Sequence, residues 1–339
     1  METICIFPRK FGLGGPASFQ SRLIEELRSN QIRVVFEPDD LSNSAILVMG
    51  GTRHLGELRA AKRRGVRIVQ RLNGMNWVHK VKYTGLKHFL RAEVNNALLA
   101  TIRRDIADKI IYQSQFSCDW WNREKGVIHK PELVVYNGVN LEEFNPAGSN
   151  DLPGDRYRML LVEGNLGNGY EGGLFTAADA AALLNQRLEK PLELMVVGTV
   201  PDSLRQKAKR DGLSINWKGV VDRRDIPVID RSAHLFFSSD INAACPNSVI
   251  EALACGLPVV AFDTGALPEM VPGDAGCIAR YGSNVWKLQK PDVHALVDEA
   301  AEVLRHRESY SRGARAWAEQ TFDIRKIAKA YLEVLLTDK

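Results

Sequence analysis

Residues 246–261 place a helix start and a single acid directly before an apolar run. A loop ends at Pro246 and Asn247, a short helix follows, and residues 257–262 are typical of a buried parallel strand. The free N–H groups at a helix start attract phosphate, and Glu251, one turn in, can accept hydrogen bonds from a ribose. This spacing predicts a site for a phosphorylated nucleoside. Its expected binding residues are Pro246, Asn247, Ser248, Val249 and Glu251.

The same residues also fit a purely structural interpretation. Ser248 and Glu251 have the spacing of a capping box, in which a serine and a glutamate three residues later satisfy the backbone N–H groups of a helix start. Taken alone, the segment supports the capping box and the ligand site equally.

A second glycine-rich segment, residues 167–172, matches the G-x-G-x-x-G pattern of dinucleotide-binding proteins. Such a site also needs an acid at the end of the next strand, and the strand at residues 192–197 ends instead in Gly198 and Thr199. The missing acid argues against a nicotinamide or flavin enzyme. Gly164, Asn165 and Gly198 are expected to let backbone approach a sugar-nucleotide diphosphate, or simply to form flexible turns.

The elements that position these residues alternate regularly between strands and helices. Twelve apolar runs separate segments of helical length, at residues 4–7, 33–36, 46–49, 67–70, 109–112, 133–136, 159–162, 192–197, 215–218, 235–238, 259–262 and 276–279. This alternation predicts parallel sheets covered on both faces. Because residues 147–158 have the composition of a linker, we expect an α/β chain of two doubly wound, Rossmann-like domains facing a cleft.

Three stretches resemble the family 4 retaining glycosyltransferases. Residues 246–271 resemble the donor-binding signature of that family, and residues 136–146 resemble its Asn-Gly-Val-Asp...Phe-x-Pro segment. Gly14 and Gly15 follow the first strand as they do in its N-terminal domain, and are expected to contact the donor. The resemblance implies the GT-B fold. Its parts would be an acceptor-binding domain (residues 1–150), a nucleotide-sugar donor-binding domain (151–320) and a last helix (321–339) that crosses back to the first domain.

Two positions depart from the pattern of the resembled family. Ala243 stands where the first acid of an E-x7-E pair is expected, so only Glu251 remains. Residues 163–173 contain no Lys or Arg to neutralise a leaving diphosphate, whose developing charge needs fixed donors or cations. Helix N–H groups can supply part of this stabilisation, and Arg223 and Arg224 are candidate cations.

On the acceptor side, Asn73 follows a strand at the position where related enzymes present a polar residue to the reacting sugar. Asn73 and Glu251 are the residues we expect at the catalytic centre. Asn73-Gly74 is also a strong turn dipeptide, and the turn is an equally good interpretation. Arg71 and His79 are further candidates for binding an anionic acceptor or a phosphate, with a plain surface role favoured for both.

The implied activity is transfer of a sugar from a nucleoside-diphosphate sugar to a glycan, lipid or small-molecule acceptor, with retention. A non-catalytic sugar-nucleotide-binding protein is the first alternative, favoured by Ala243, and a dinucleotide-dependent oxidoreductase is the second. No metal or other cofactor is expected, because D-x-D, H-E-x-x-H and G-x-S-x-G motifs are absent from the sequence and its five cysteines are scattered.

Charge and composition limit the cellular location and the classes of partner that we expect for this protein. The chain has 45% hydrophobic and 25% charged residues, as is typical of soluble globular proteins, and lacks an opening apolar run that would predict a signal peptide or a membrane span. Residues 59–91 hold ten Lys or Arg and no acid. We expect a cytoplasmic protein without a nucleic-acid partner, in which this run is a solvated face or makes peripheral contact with an anionic membrane.

Overall fold

The computed structural model describes residues 2–12, 14–167 and 171–337. The chain divides into two compact units, one formed by Met1–Gly138 with Ile324–Lys339 and the other by Val139–Asp323. Each unit contains one six-stranded parallel sheet with helices, which confirms the predicted fold class.

All twelve predicted strands are present, with ends within three residues of the expected ones. They are β1 (Thr3–Phe7), β2 (Arg33–Val35), β3 (Ala45–Met49), β4 (Arg67–Leu72), β5 (Lys109–Tyr112), β6 (Glu132–Val134), β7 (Tyr157–Asn165), β8 (Leu192–Thr199), β9 (Ser214–Gly219), β10 (Leu235–Phe237), β11 (Val259–Phe262) and β12 (Gly276–Ala279). The central strands β3 and β11 are buried along their whole length, because helices cover both faces of a parallel sheet.

Twelve helices are described, and several of them pack against the sheets. They are α1 (Gly15–Ser29), α2 (Leu55–Arg63), α3 (Leu86–Thr101), α4 (Gln115–Lys125), α5 (Glu171–Asn185), α6 (Asp202–Ala208), α7 (Ile226–Arg231), α8 (Asn247–Ala254), α9 (Leu267–Met270), α10 (Val293–Arg305), α11 (Arg307–Thr321) and α12 (Ile324–Leu336). No helix within the described ranges is both long and apolar enough to cross a membrane.

Each sheet reverses its winding direction at one point. The first has the strand order β2-β1-β3-β4-β5-β6, so the chain winds to opposite sides of the boundary between β1 and β3. The second has the order β12-β11-β10-β7-β8-β9, and its winding reverses between β7 and β10. Ligands of open parallel sheets bind at the carboxyl edge beside such a reversal. Each unit is therefore expected to have a ligand site at its own reversal point.

The last helix, α12, packs in the first unit. Its buried face consists of Ile324, Ile327, Ala328, Tyr331, Val334 and Leu335. The Tyr331 ring lies 5.7 Å from the ring of Phe19 in α1, and both side chains belong to the apolar core beneath the sheet. The spacing of three and four residues between these positions gives the helix one continuous apolar stripe.

The boundaries between the units lie after residues 138 and 323, whereas the linker composition and the family resemblance predict them after residues 150 and 320. Residues 139–150 are polar in sequence but are held on the second unit. Phe144 is fully buried there. Arg315 Nη1 donates to the Phe144 carbonyl at 2.8 Å, and Arg231 Nη1 donates to the Asn145 carbonyl at 3.1 Å. Distant arginines thus anchor a segment whose composition resembles a linker.

Candidate functional site

Most of the predicted donor-site residues lie at the carboxyl edge of the second sheet. Gly164 and Asn165 end β7, Gly198 lies near the end of β8, and the segment with Glu251 follows the loop after β10. Because β10, β7 and β8 are neighbours in a parallel sheet, their carboxyl ends share one edge. Gly14 and Gly15 belong to the first unit, where they begin α1 at the surface.

The start of α8 does not have the geometry of a capping box. The helix begins at Asn247, Pro246 is its N-cap residue, and no side chain of the cap accepts a hydrogen bond from the first turn. Ser248 lies inside that turn and therefore cannot be the capping serine that the sequence alternative requires. Val249 is fully buried, so the structure presents none of its atoms to a ligand.

Glu251 is the fifth residue of α8, is 9% exposed and interacts electrostatically with another acid, Asp230 of α7. Burial, and then the charge of Glu251, raise the pKa of Asp230 well above its usual range. Asp230 Oδ2 has no hydrogen-bond partner among the residues that the structure describes. Glu251 is therefore held in a buried acidic environment, in which a ligand hydroxyl would be a favourable partner.

Gly198 and Gly164, the two glycines at this edge, differ in whether the structure leaves room for a side chain. Gly198 has a φ of +128°, and a Cβ there would lie 1.6 Å from the Glu163 carbonyl oxygen. The close approach of β7 and β8 therefore explains Gly198 without a ligand. Gly164 has no atom within 4 Å of the place of a Cβ and is exposed, so its backbone is open to a ligand.

Two acids that the sequence prediction omits flank the reversal of this sheet. Glu163 lies in β7 and Asp240 follows β10, and Ser239 Oγ donates to Glu163 Oε1 at 3.0 Å. Burial, and then the charge of Asp240, raise the pKa of Glu163 well above its usual range. Burial also raises the pKa of Asp240 to about 6. The pattern that could have revealed them is an acid after each of the two strands at a reversal point.

The candidate cations lie elsewhere on the second unit. Arg224 pairs with Asp222 at 3.1 Å in an exposed turn after β9, which is the outermost strand and is separated from the reversal by β8. Of the G-x-G-x-x-G segment, residues 168–170 lie outside the described residues. In the described ranges, no group of three or more His, Cys, Asp or Glu is arranged to hold a metal ion.

The first unit has a cavity of about 420 Å³ at the carboxyl edge of its sheet. The loops after β1, β3 and β4 and one side of α3 line it, through Lys10, Pro16, Met49, Gly50, Gly51, Thr52, Arg53, Arg71, Asn73, Gly74, Asn76, Asn95, Leu98 and Leu99. The reversal point between β1 and β3 thus coincides with a cavity of the size that small-molecule ligands occupy.

Asn73 lines this cavity, and a hydrogen bond from a side chain of α4 holds its backbone in place. Its carbonyl accepts a hydrogen bond from Trp121 Nε1 at 2.7 Å. Asn73 and Gly74 lie in an irregular segment after β4 that is not assigned as the turn that the dipeptide allows. A Cβ on Gly74 would lie 2.6 Å from the Trp120 ring, so packing accounts for that glycine.

Arg71 and His79, the candidates for anion binding, have different surroundings. Arg71 is 3% exposed, lies 4.2 Å from the ring centroid of Phe19 and donates from Nη2 to Asn137 Oδ1 at 2.5 Å. His79 is buried away from the cavity, with Nε2 2.7 Å from Glu93 Oε1. The hydrogen bond from His79 is the main cause of a lowered pKa at Glu93. Only Arg71 is therefore available to a ligand in the cavity.

Comparison with known proteins supports a relationship for the second unit. Residues 158–306 match the family model described as glycosyl transferases group 1. A D-inositol 3-phosphate glycosyltransferase of Streptomyces bingchenggensis is 30% identical over 183 residues, which are 49% of this chain and 40% of that protein. The chain thus matches less than half the length of this curated relative.

Two solved structures share the architecture over nearly the whole chain. Sucrose-phosphate synthase from Thermosynechococcus elongatus superposes with a TM-score of 0.76 at 16% identity, covering 98% of both chains. Anabaena HepE in complex with UDP and glucose gives 0.70 at 16% identity and covers 99% of both. At this identity the likeness shows the fold alone. Residues 158–306 thus match the glycosyl transferases group 1 family model, and the chain as a whole has the fold of GT-B glycosyltransferase structures.

Proposed function

We propose that the protein is a glycosyltransferase that moves a sugar from a nucleoside-diphosphate sugar to a glycan, lipid or small-molecule acceptor, with retention of configuration. One observation carries the proposal. Within the residues that match the glycosyl transferases group 1 family model, the helix start at Asn247 and the buried Glu251 follow the strand that borders the sheet reversal.

The donor would bind through two kinds of contact. Backbone N–H groups in the first turn of α8 would hold the diphosphate, since a helix start favours negative charge. Glu251 would accept hydrogen bonds from the ribose hydroxyls. The open backbone at Gly164, next to the exposed Asn165, would let the diphosphate approach β7 closely. The UDP in the HepE complex supports a nucleoside diphosphate as the ligand class.

In the first unit, Asn73 would contact the acceptor. The proposed transfer uses neither a metal nor an organic cofactor, as the family resemblance implies. Leaving-group charge would be stabilised by helix N–H groups. A non-catalytic nucleotide-sugar-binding protein stays the first alternative because Ala243 supplies no acid. An oxidoreductase is disfavoured because β8 ends in Gly198 and Thr199.

The proposal is tested by ligand binding followed by turnover. A saturating nucleoside diphosphate or its sugar should raise the melting temperature, because a ligand at 100 times its Kd adds about 2.7 kcal/mol of stability. UDP, GDP and ADP, their sugars, NAD(H) and NADP(H) form the panel. Release of nucleoside diphosphate from the bound sugar distinguishes an enzyme from a binding protein. Hydride transfer from a bound nicotinamide would contradict the proposal.

We also propose that the first unit contacts an anionic membrane surface from the cytoplasmic side. Leu86, Leu90 and Val94 are 69%, 56% and 47% exposed, and their spacing of four residues puts them on one face of α3. Lys87 and Arg91 are exposed beside this row. Apolar side chains next to cations are the composition of an interfacial helix.

Vesicle sedimentation tests this contact. Phosphatidylglycerol vesicles should bind the protein at low salt and phosphatidylcholine vesicles should not, because exposed charges are screened over about 8 Å at physiological ionic strength. Leu90→Glu should abolish sedimentation. Val220→Glu is the control, since Val220 is 62% exposed in the second unit. Equal binding by both variants would identify the α3 residues as a solvated face.

A further inference from the structure

The cavity of the first unit is lined by positively charged side chains to which the proposed function assigns no role. Lys10, Arg53 and Arg71 line it, and none of its other lining residues is an acid. Three cations therefore line one open cavity together with neutral polar neighbours such as Thr52 and Asn76. Like charges at close range repel each other, so this arrangement is unfavourable unless an anion joins it.

The repulsion is visible at Lys10. Burial, and then the charge of Arg71, lower the pKa of the Lys10 ammonium. The Lys10 backbone N–H donates to Gln20 Oε1 at 2.6 Å, but its ammonium makes no ion pair within the described residues. The two cations thus lie near each other without an internal counter-charge.

Arg71 differs in its partner from two other deeply buried arginines, each of which forms an ion pair with a glutamate. Arg158 Nε lies 2.5 Å from Glu193 Oε1, and Arg103 Nη2 lies 3.3 Å from Glu132 Oε1. Arg71 is equally buried, but its hydrogen-bond partner is the neutral side chain of Asn137. Its Nε has no partner among the described residues. Buried charges in proteins are normally paired, so a negatively charged partner would stabilise the buried guanidinium of Arg71.

Arg53 completes the group from the rim of the cavity. It follows β3 and is exposed. Within the described part of the chain it makes neither a hydrogen bond nor an ion pair. A guanidinium held by no internal contact at the mouth of a cationic cavity is free to close on a ligand, and it can bind an oxyanion through two parallel N–H donors.

We infer that this cavity binds the phosphate monoester of a phosphorylated acceptor, with Arg71 and Lys10 at its base and Arg53 at its mouth. The inference rests on the proposed function in that it assigns the acceptor to an anionic class. A dianion suits three cations better than a carboxylate does. The volume of about 420 Å³ leaves room for a small polyol or headgroup beside Asn73.

Calorimetric titration with glycerol 3-phosphate and with inorganic phosphate tests the site, and glycerol is the uncharged control. Both phosphates should bind and glycerol should not. Arg53→Gln should weaken binding by about tenfold or more, because it removes charged hydrogen bonds to the ligand. Since Arg53 has no partner among the residues that the structure describes, this variant should fold normally. Arg59→Gln is the matched control, as Arg59 is exposed on α2 and does not line the cavity.

A second arm separates a free phosphate from a lipid headgroup. Phosphatidic acid vesicles present the same monoester on a membrane, and phosphatidylcholine vesicles are their control. Binding of phosphatidic acid that falls in Arg53→Gln, without binding of glycerol 3-phosphate, assigns the site to a lipid acceptor. If neither probe binds, or if Arg53→Gln and Arg59→Gln behave alike with both, the inference is overturned.

The same protein samples keep this outcome distinct from failure of the proposed function. Nucleoside diphosphate binding is measured beside the phosphate titrations. Normal donor binding without Arg53-dependent anion binding would contradict the phosphorylated acceptor but not the proposed glycosyltransferase function. Arg53-dependent anion binding without donor binding supports the cavity and removes the transferase.

Discussion

At the reversal between β1 and β3, the first unit presents Lys10, Arg53 and Arg71 to its cavity and no acid. At the reversal between β7 and β10, the second unit presents the acids Glu163 and Asp240. The two units share one architecture, yet the chemistry at equivalent places is opposite. The loops after the strands, rather than the sheets, therefore decide what each unit can bind.

The difference also bears on how each unit can meet an anion. The cationic cavity attracts a phosphate directly. The acidic reversal would repel a diphosphate if both carboxylates were ionised, and the raised pKa values of Glu163 and Asp240 reduce that repulsion by favouring protonation. Attraction in the second unit must then come from backbone N–H groups, such as those in the first turn of α8.

The largest effect is expected from Gly198→Ala, which tests whether the backbone or the ligand requires a glycine at the acidic reversal. A Cβ would lie 1.6 Å from the Glu163 carbonyl, at a φ of +128°. We expect a loss of roughly 3 kcal/mol or more in unfolding free energy, measured by urea denaturation. Gly164→Ala is the control and should keep normal stability but lose affinity for the nucleoside diphosphate. Full stability of Gly198→Ala would remove the structural explanation for that glycine.

Glu251→Gln should come next in size and separates a ribose-binding acid from a buried structural one. Hydrogen bonds to a charged group contribute about 1.5 to 3 kcal/mol, so titration should show a donor affinity about ten- to a hundredfold lower. Stability should not fall, because the substitution removes a charge beside the buried Asp230. Glu189→Gln, at an exposed loop position, is the control. A variant that melts early and binds the donor normally would make Glu251 structural.

Asp240→Asn should change how stability depends on pH. The pKa of Asp240 is raised in the folded protein to about 6, so folding favours the protonated acid. The stability associated with that proton is fully present below about pH 4 and is lost as the pH rises through 6. Relative to the natural protein, the variant should gain roughly 1 to 3 kcal/mol between pH 4.5 and 7.5. Parallel stability curves for the two proteins would show that Asp240 titrates normally.

The smallest effect is expected from Arg224→Ala. Its guanidinium is exposed and pairs with Asp222 beside the outermost strand β9, and exposed pairs contribute little. Donor affinity and melting temperature should stay unchanged within error. A clear loss of donor affinity would instead identify Arg224 as the cation that residues 163–173 lack, and would weaken the contrast between the two units.

Local sequence was sufficient to predict the strands and to propose one part of each candidate site. Alternating apolar runs predicted every strand, because a strand buried on both faces must be apolar along its length. The segment around Glu251 was recognisable because a helix start, an acid and a buried strand are adjacent in the chain. Asn73 and Arg71 could be proposed for the same reason, since they end a strand whose carboxyl edge is where ligands bind.

Tertiary structure alone decided which distant residues meet. Glu163 and Asp240 are 77 positions apart in sequence and become neighbours because β7 and β10 pair. Lys10 and Arg53 reach Arg71 because β1, β3 and β4 lie side by side. The polar segment at residues 139–150 joins the second unit because Arg231 and Arg315 bind its carbonyls. Periodicity reports which way a side chain points within its own element, whereas charge compensation, burial and pKa depend on partners that only strand order brings within a few ångströms.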